Sequence, residues 1–181
     1  MKLNLANRLT ILRIFMIPVF MIFLLNKIPY GVPIAAFIFI LAALTDTLDG
    51  YIARKRNQVT TLGKFIDPLA DKLLVSAALI SLVQMGELSA WVVVIIISRE
   101  FTISILRAVA ASEGIVIEAS WWGKAKTITQ IIAIIAILIN NFPFSYIGFP
   151  FDQIMVLLAV VFTIISGVDY LKLNMHILTK E

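Results

Sequence analysis

The sequence predicts an all-α integral membrane protein with about six transmembrane helices and a short N-terminal interfacial segment. Three observations lead there. Of 181 residues, 61% are apolar and 14% are charged, a balance far from that of a soluble globular chain. The apolar residues fall into helix-length runs separated by short polar or Pro/Gly-containing breaks. The basic residues behind the net charge of +4 gather at the ends of those runs, which fits membrane orientation and not a nucleic-acid partner. Residues 1–181 read as a single membrane-embedded domain without repeats or linkers. Cysteine is absent, so any metal must be held by oxygen or by His176.

Taken in order, Met1 to Asn7 sets Leu3 and Leu5 among Lys2, Asn4 and Asn7, a pattern suited to lying along the bilayer surface. The run Ile14 to Leu25 follows without a small-residue cleavage site and reads as a retained first helix. The segment Asn26 to Tyr30 is a turn. Val32 to Leu44 is too short to cross alone, but continued as a helix through Ala53 it spans about 30 Å. Arg54 to Gln58 ends it with a basic cluster. Asp67-Pro68 marks the entry to a third helix, with Asp67 either an N-cap or at a kink, and Leu69 to Met85 carries that helix across. A fourth helix opens at Trp91 and contains Arg99, Glu100 and Arg107; a fifth runs from Gly123 to Ile139; a sixth from Ile154 to Tyr170. With this topology Lys2, Arg8, Arg54, Lys55, Arg56, Lys124, Lys126, Lys172 and Lys180 fall on one side and Lys27 on the other. The positive-inside rule then puts both termini in the cytoplasm. Polar residues within the spans lie near their cytoplasmic ends, which predicts a cavity open to that side and not a channel.

The stretch Asp46 to Asp71 carries the chemistry. Asp46, Asp49, Gly50 and Ala53 recur at i, i+3, i+4 and i+7, so on a helix two carboxylates share a stripe with two small residues. Asp67 and Asp71 form a second pair at i, i+4. Two unit charges about 6 Å apart at an effective dielectric of about 20 repel by roughly 3 kcal/mol, so both pairs together require protons or a cation. On two antiparallel helices they can converge on one or two hard divalent cations, Mg²⁺ or Mn²⁺, a set suited to phosphoryl chemistry. Gly50 and Ala53 leave room for a nucleotide, Arg54 can contact phosphate or base, and Asp71 is placed to take a proton from an attacking hydroxyl.

Asp46-x-x-Asp49-Gly50-x-x-Ala53-Arg54 followed by Gly63-x-x-x-Asp67-x-x-x-Asp71 resembles the signature of the CDP-alcohol phosphotransferases, with every position filled. The resemblance implies a six-helix membrane enzyme, usually a homodimer, in the cell (inner or plasma) membrane with its active site facing the cytoplasm. It transfers a phosphatidyl group from CDP-diacylglycerol to an alcohol and releases CMP. It also implies that Asp46, Asp49, Asp67 and Asp71 hold the metals, with Asp71 also the base, and that Gly50, Ala53, Arg54 and Gly63 line the CDP site. The opening Asn7-x-x-Thr10-x-x-Arg13, the run Ser98-Arg99-Glu100 and the segment Gly123 to Thr127 resemble the bacterial branch whose acceptor is sn-glycerol 3-phosphate. The cations expected at the acceptor phosphate are Arg107 and Lys124, then Lys126 with Thr127; Lys124 and Thr127 share a face at i, i+3.

Other readings stay open at this point. Thr10 and Arg13 are either a backbone-bonded hydroxyl and a snorkelling cation or groups facing the CDP diphosphate. Glu100 and Arg107 fit a structural ion pair as well as a substrate role, and Lys124 and Lys126 fit positive-inside anchors. His176 reads as a headgroup-level residue. A different acceptor within the family (inositol phosphate, serine or phosphatidylglycerol) and, in another class, a divalent-cation transporter are the competing functions. The almost wholly apolar outer halves of the spans argue against the transporter.

Overall fold

A computed structural model describes the backbone at residues 5–55, 61–112, 114–115, 117–118 and 120–178. Within these, the side chains of residues 5–6, 46–55, 61–65 and 175–178 lie outside the described set. The described residues are all-α, with six long helices and one short 3₁₀ turn. The helices are α1 (Leu5–Leu25), α2 (Gly31–Lys55), α3 (Thr61–Gln84), α4 (Ala90–Ser112), α5 (Trp121–Leu138) and α6 (Phe151–Leu178). The chain forms two compact units, Met1–Glu87 with α1 to α3 and Leu88–Glu181 with α4 to α6.

In the first unit each helix buries one stripe and leaves an apolar face outside. On α1 the buried positions Asn7, Thr10, Arg13, Ile17, Phe20 and Leu24 recur every three or four residues, polar at the N-terminal end and apolar beyond. Small residues line the facing stripes, Ala35, Ala36 and Ala42 on α2 and Ala70 and Ala78 on α3, which lets backbones approach closely. The Phe20 and Phe39 rings pack across α1 and α2 at 5.8 Å. Outside, Phe15 on α1 and Phe37 on α2 are 67% and 66% exposed. Buried arginine with exposed phenylalanine inverts the soluble pattern, as expected of a bundle whose solvent is hydrocarbon. Two helical stretches, Asn7–Leu25 and Phe151–Asn174, are by themselves long and apolar enough to cross a membrane.

The helix ends follow local chemistry. Gly86 takes φ 80°, and the bonds Glu87 N to Leu82 O and Gly86 N to Val83 O, both 3.0 Å, close α3 as a Schellman motif. The same pair of bonds recurs beyond α4, from Ile115 N to Ala110 O at 2.9 Å and from Gly114 N to Ala111 O at 3.1 Å. Ser120 caps α5 by accepting a bond from Gly123 N at 3.1 Å.

Three boundaries differ from the sequence reading. Asp67 is neither an N-cap nor the start of a helix: α3 begins at Thr61, and Pro68 sits inside it. Proline removes one backbone donor and clashes with the carbonyl four residues back, which the flanking turns of a long helix absorb. The N-terminal lead is already helical from Leu5, while Met1–Asn4 lie outside the described residues, as do Arg56, Asn57 and Gln58 of the basic cluster. The last helix continues past Tyr170 to Leu178, since no Pro or Gly interrupts the chain there.

Candidate active site

In the first unit the described side chains of the candidate site come from α1 and α3. Thr10, 0% exposed, donates a hydrogen bond from Oγ1 to Asp67 Oδ1 at 2.6 Å. The contact reaches across 57 positions in sequence and fixes the rotamer of one carboxylate. A carboxylate offers about four acceptor positions, so one bond from Thr10 leaves capacity for a cation. Asp71 follows one turn later on the same face of α3 and is half-buried like Asp67. Arg13, also 0% exposed, stands one turn from Thr10 on the buried stripe of α1. Asp46, Asp49, Gly50, Ala53 and Arg54 lie on the last turns of α2 and Gly63 on the first turn of α3, as backbone positions only. Among the described residues no group of three His, Asp or Glu side chains gathers.

In the second unit a polar network joins all three helices. Glu100 on α4 forms an ion pair with Lys126 on α5 and a second with the neighbouring Arg99 at 3.2 Å. Lys126 is 4% exposed, so its ammonium is stabilised only by such a partner. Arg99 Nη2 donates to Ser166 Oγ on α6 at 2.6 Å, and its stem passes Gly167, where an added Cβ would stand 3.3 Å from Arg99 Cγ. Arg99 Nε is buried and makes no hydrogen bond among the described residues. Arg107 donates from Nη2 to the Tyr170 hydroxyl.

The acceptor-site candidates therefore fall in different places. Lys126 and Arg107 belong to the network, with Lys126 buried and Arg107 exposed but bonded to Tyr170 on α6. Lys124 is exposed, and the Thr127 hydroxyl turns back to Gly123 O on its own helix at 3.1 Å. Ser166 and Tyr170 played no part in the sequence reading. Their signal was present as Thr163, Ser166 and Tyr170, one polar stripe at i, i+3 and i+7 on an otherwise apolar helix.

Buried cations, an oriented carboxylate and exposed apolar helix faces fit a membrane protein that handles charged groups. The chain belongs to the CDP-alcohol phosphatidyltransferase family, which matches it over residues 3–165. It is thus a transferase of a membrane-bound family in phospholipid biosynthesis. It is 49% identical over 183 residues to the CDP-diacylglycerol–glycerol-3-phosphate 3-phosphatidyltransferase of Bacillus subtilis, covering 94% of this chain and 95% of that protein. The Haemophilus influenzae protein of the same name is 40% identical, over 95% of this chain and 94% of its own. A probable phosphatidylglycerophosphate synthase of Mycobacterium tuberculosis is 40% identical, over 92% and 79%.

The buried ion pair gives a stability prediction. Lys126→Met leaves Glu100 with one cation fewer in a poorly hydrated site and is expected to lower stability by about 3 kcal/mol. Adding Glu100→Gln to that variant is expected to recover part of the loss, as thermal unfolding of the purified protein will show.

Proposed function

We propose that the protein transfers the phosphatidyl group of CDP-diacylglycerol to sn-glycerol 3-phosphate, giving phosphatidylglycerophosphate and CMP. The observation that carries this reading is the 49% identity, over nearly the full length of both chains, to a relative named for that reaction. The filled aspartate signature supports the donor and the chemistry; the cationic network of the second unit supports a phosphorylated acceptor. The family match runs through both compact units, which favours one catalytic domain over residues 1–181.

Asp46, Asp49, Asp67 and Asp71 supply only hard oxygen donors, a set that fits Mg²⁺ or Mn²⁺. When bound, the metal neutralises phosphate oxygens and the charge that develops on them. Thr10 holds the Asp67 carboxylate in one orientation. This supports a place for Thr10 beside the CDP site, with Gly50, Ala53, Arg54 and Gly63 lining it. Asp71 accepts the proton of the acceptor hydroxyl as its oxygen forms a bond to the β-phosphorus; the bond from that phosphorus to the CMP oxygen breaks and CMP leaves. Arg107 and Lys126 hold the acceptor phosphate, joined by Arg99 through its buried Nε; Lys124 attracts the anion from an exposed position, and Thr127 flanks it. The chain crosses the inner or plasma membrane about six times, begins with an interfacial segment and opens its site to the cytoplasm. It works as a homodimer, as the family resemblance implies.

Purified protein given CDP-diacylglycerol, Mg²⁺ or Mn²⁺ and a panel of acceptors is expected to release CMP with glycerol 3-phosphate; product from inositol phosphate alone would overturn the assignment. Asp71→Asn is expected to bind CDP-diacylglycerol yet lose turnover, and full activity would remove Asp71 as base. Thr10→Val is expected to raise the Mn²⁺ concentration for half-saturation about ten-fold, in calorimetry as well as in CMP release, with Thr10→Ser restoring it. Because the chain lacks cysteine, Lys27→Cys and Lys172→Cys can be labelled individually in intact cells. An impermeant maleimide is expected to reach only the first; the reverse would invert the topology.

A further inference from the structure

Tyr170 stands at the centre of the second unit's polar network, on α6 and only 3% exposed. Its hydroxyl donates to Glu118 O at 2.9 Å, accepts from Ser120 N at 3.0 Å and accepts from Arg107 Nη2. A phenol oxygen has one proton to give and two lone pairs to offer, so these three bonds use it fully. Two of them hold the segment leading into α5, whose first turn is capped by Ser120. The ring is used as well: the guanidinium carbons of Arg99 and Arg107 lie 5.5 and 5.2 Å from its centroid. Both distances are within cation–π range.

The cluster is unusual in its charge. Among the described residues these contacts join three cations, Arg99, Arg107 and Lys126, with the carboxylate of Glu100. Lys126 is buried, Arg99 half-buried and Arg107 exposed. Cations drawn together repel one another, and a neutral residue that offers both a π face and a lone pair can hold them without cancelling their charge. Arg99 and Arg107 are two turns apart on α4, and neither helix packing nor membrane insertion calls for both to meet one ring. An incoming dianionic phosphate would find the cations already oriented, which removes the cost of ordering two long side chains on binding.

We propose that Tyr170 is the positioning residue of the acceptor-phosphate site: it presents Arg107 and Arg99 to the phosphate of the acceptor and ties the entry of α5 to that arrangement. This rests on the assignment of glycerol 3-phosphate as acceptor and adds the residue that prearranges its site. Tyr170 does not touch the reacting atoms, so its effect falls on acceptor binding and not on donor binding.

The test is steady-state kinetics of purified wild type, Tyr170→Phe, Arg107→Gln and the double variant, with both substrates varied. Tyr170→Phe keeps the ring and removes three hydrogen bonds. It is expected to raise KM for glycerol 3-phosphate about ten-fold or more while KM for CDP-diacylglycerol stays within about two-fold. In the Arg107→Gln background the same change is expected to raise it far less, because the residue it positions is gone. Equal shifts in both KM values, an unchanged KM for glycerol 3-phosphate, or effects that multiply in the double variant would each overturn the positioning role. Should the phenylalanine variant not accumulate, Tyr170→His, which keeps a ring and a polar atom, is read by the same two criteria. Wild-type protein that releases no CMP with glycerol 3-phosphate would instead defeat the acceptor assignment, a failure visible before any variant is compared.

Discussion

Charge withdrawn from water into a narrow apolar bundle must be partnered, and this constraint shapes both halves of the molecule. Each ionised group at the centre of a membrane helix costs roughly 2.5 to 3.5 kcal/mol on insertion scales, so such groups turn inward and find one another. Arg13 and Thr10 turn inward on α1, where Thr10 meets Asp67; Arg99, Glu100 and Lys126 form one chain of contacts, with Ser166 beneath Arg99. The apolar residues have the simpler task of facing lipid or filling the stripes that remain. Function and insertion therefore make the same demand of these side chains. On the proposed function, a cation kept inside because the bilayer rejects it would also be held ready for a phosphate.

The two units apply this rule with different chemistry. The first provides acids and a hydroxyl, with alanines that let helices pack closely around them. The second provides guanidinium groups and an ammonium arranged about one carboxylate and one phenol. The proposed donor, with its diphosphate, and the proposed acceptor, with its phosphate, would call for such different surroundings. On the proposed function, the acids serve the donor and the cationic unit would serve a second anionic substrate.

The helices were legible because apolar runs and their breaks are strong signals, and α2 extends through the aspartates as the spacing required. Pro68 misled because proline reads as a boundary, whereas a long helix can carry it inside. The Thr10 to Asp67 bond joins residues far apart in sequence, and nothing in local spacing encodes that meeting. The sequence puts Lys124 ahead of Lys126 at the acceptor phosphate, since Lys124 shares a face with Thr127. A turn of about 100° per residue leaves one exposed and buries the other, and only the packing of α5 decides which. In the sequence Tyr170 is only the end of an apolar run, and a single phenol carries little weight until its three partners are in place.

The apolar continuation of the α1 stripe has a meaning beyond packing. Past Arg13 the buried residues are Ile17, Phe20 and Leu24, and Phe39 fills the space against Phe20. On α1 this half of the first unit is packed by apolar side chains. Any enzyme that draws ions and phosphates into a bilayer risks opening a leak that would discharge the proton gradient across it. Here the polar stripe of α1 ends partway along the helix, and apolar side chains that offer an ion no partner take over on the remaining turns.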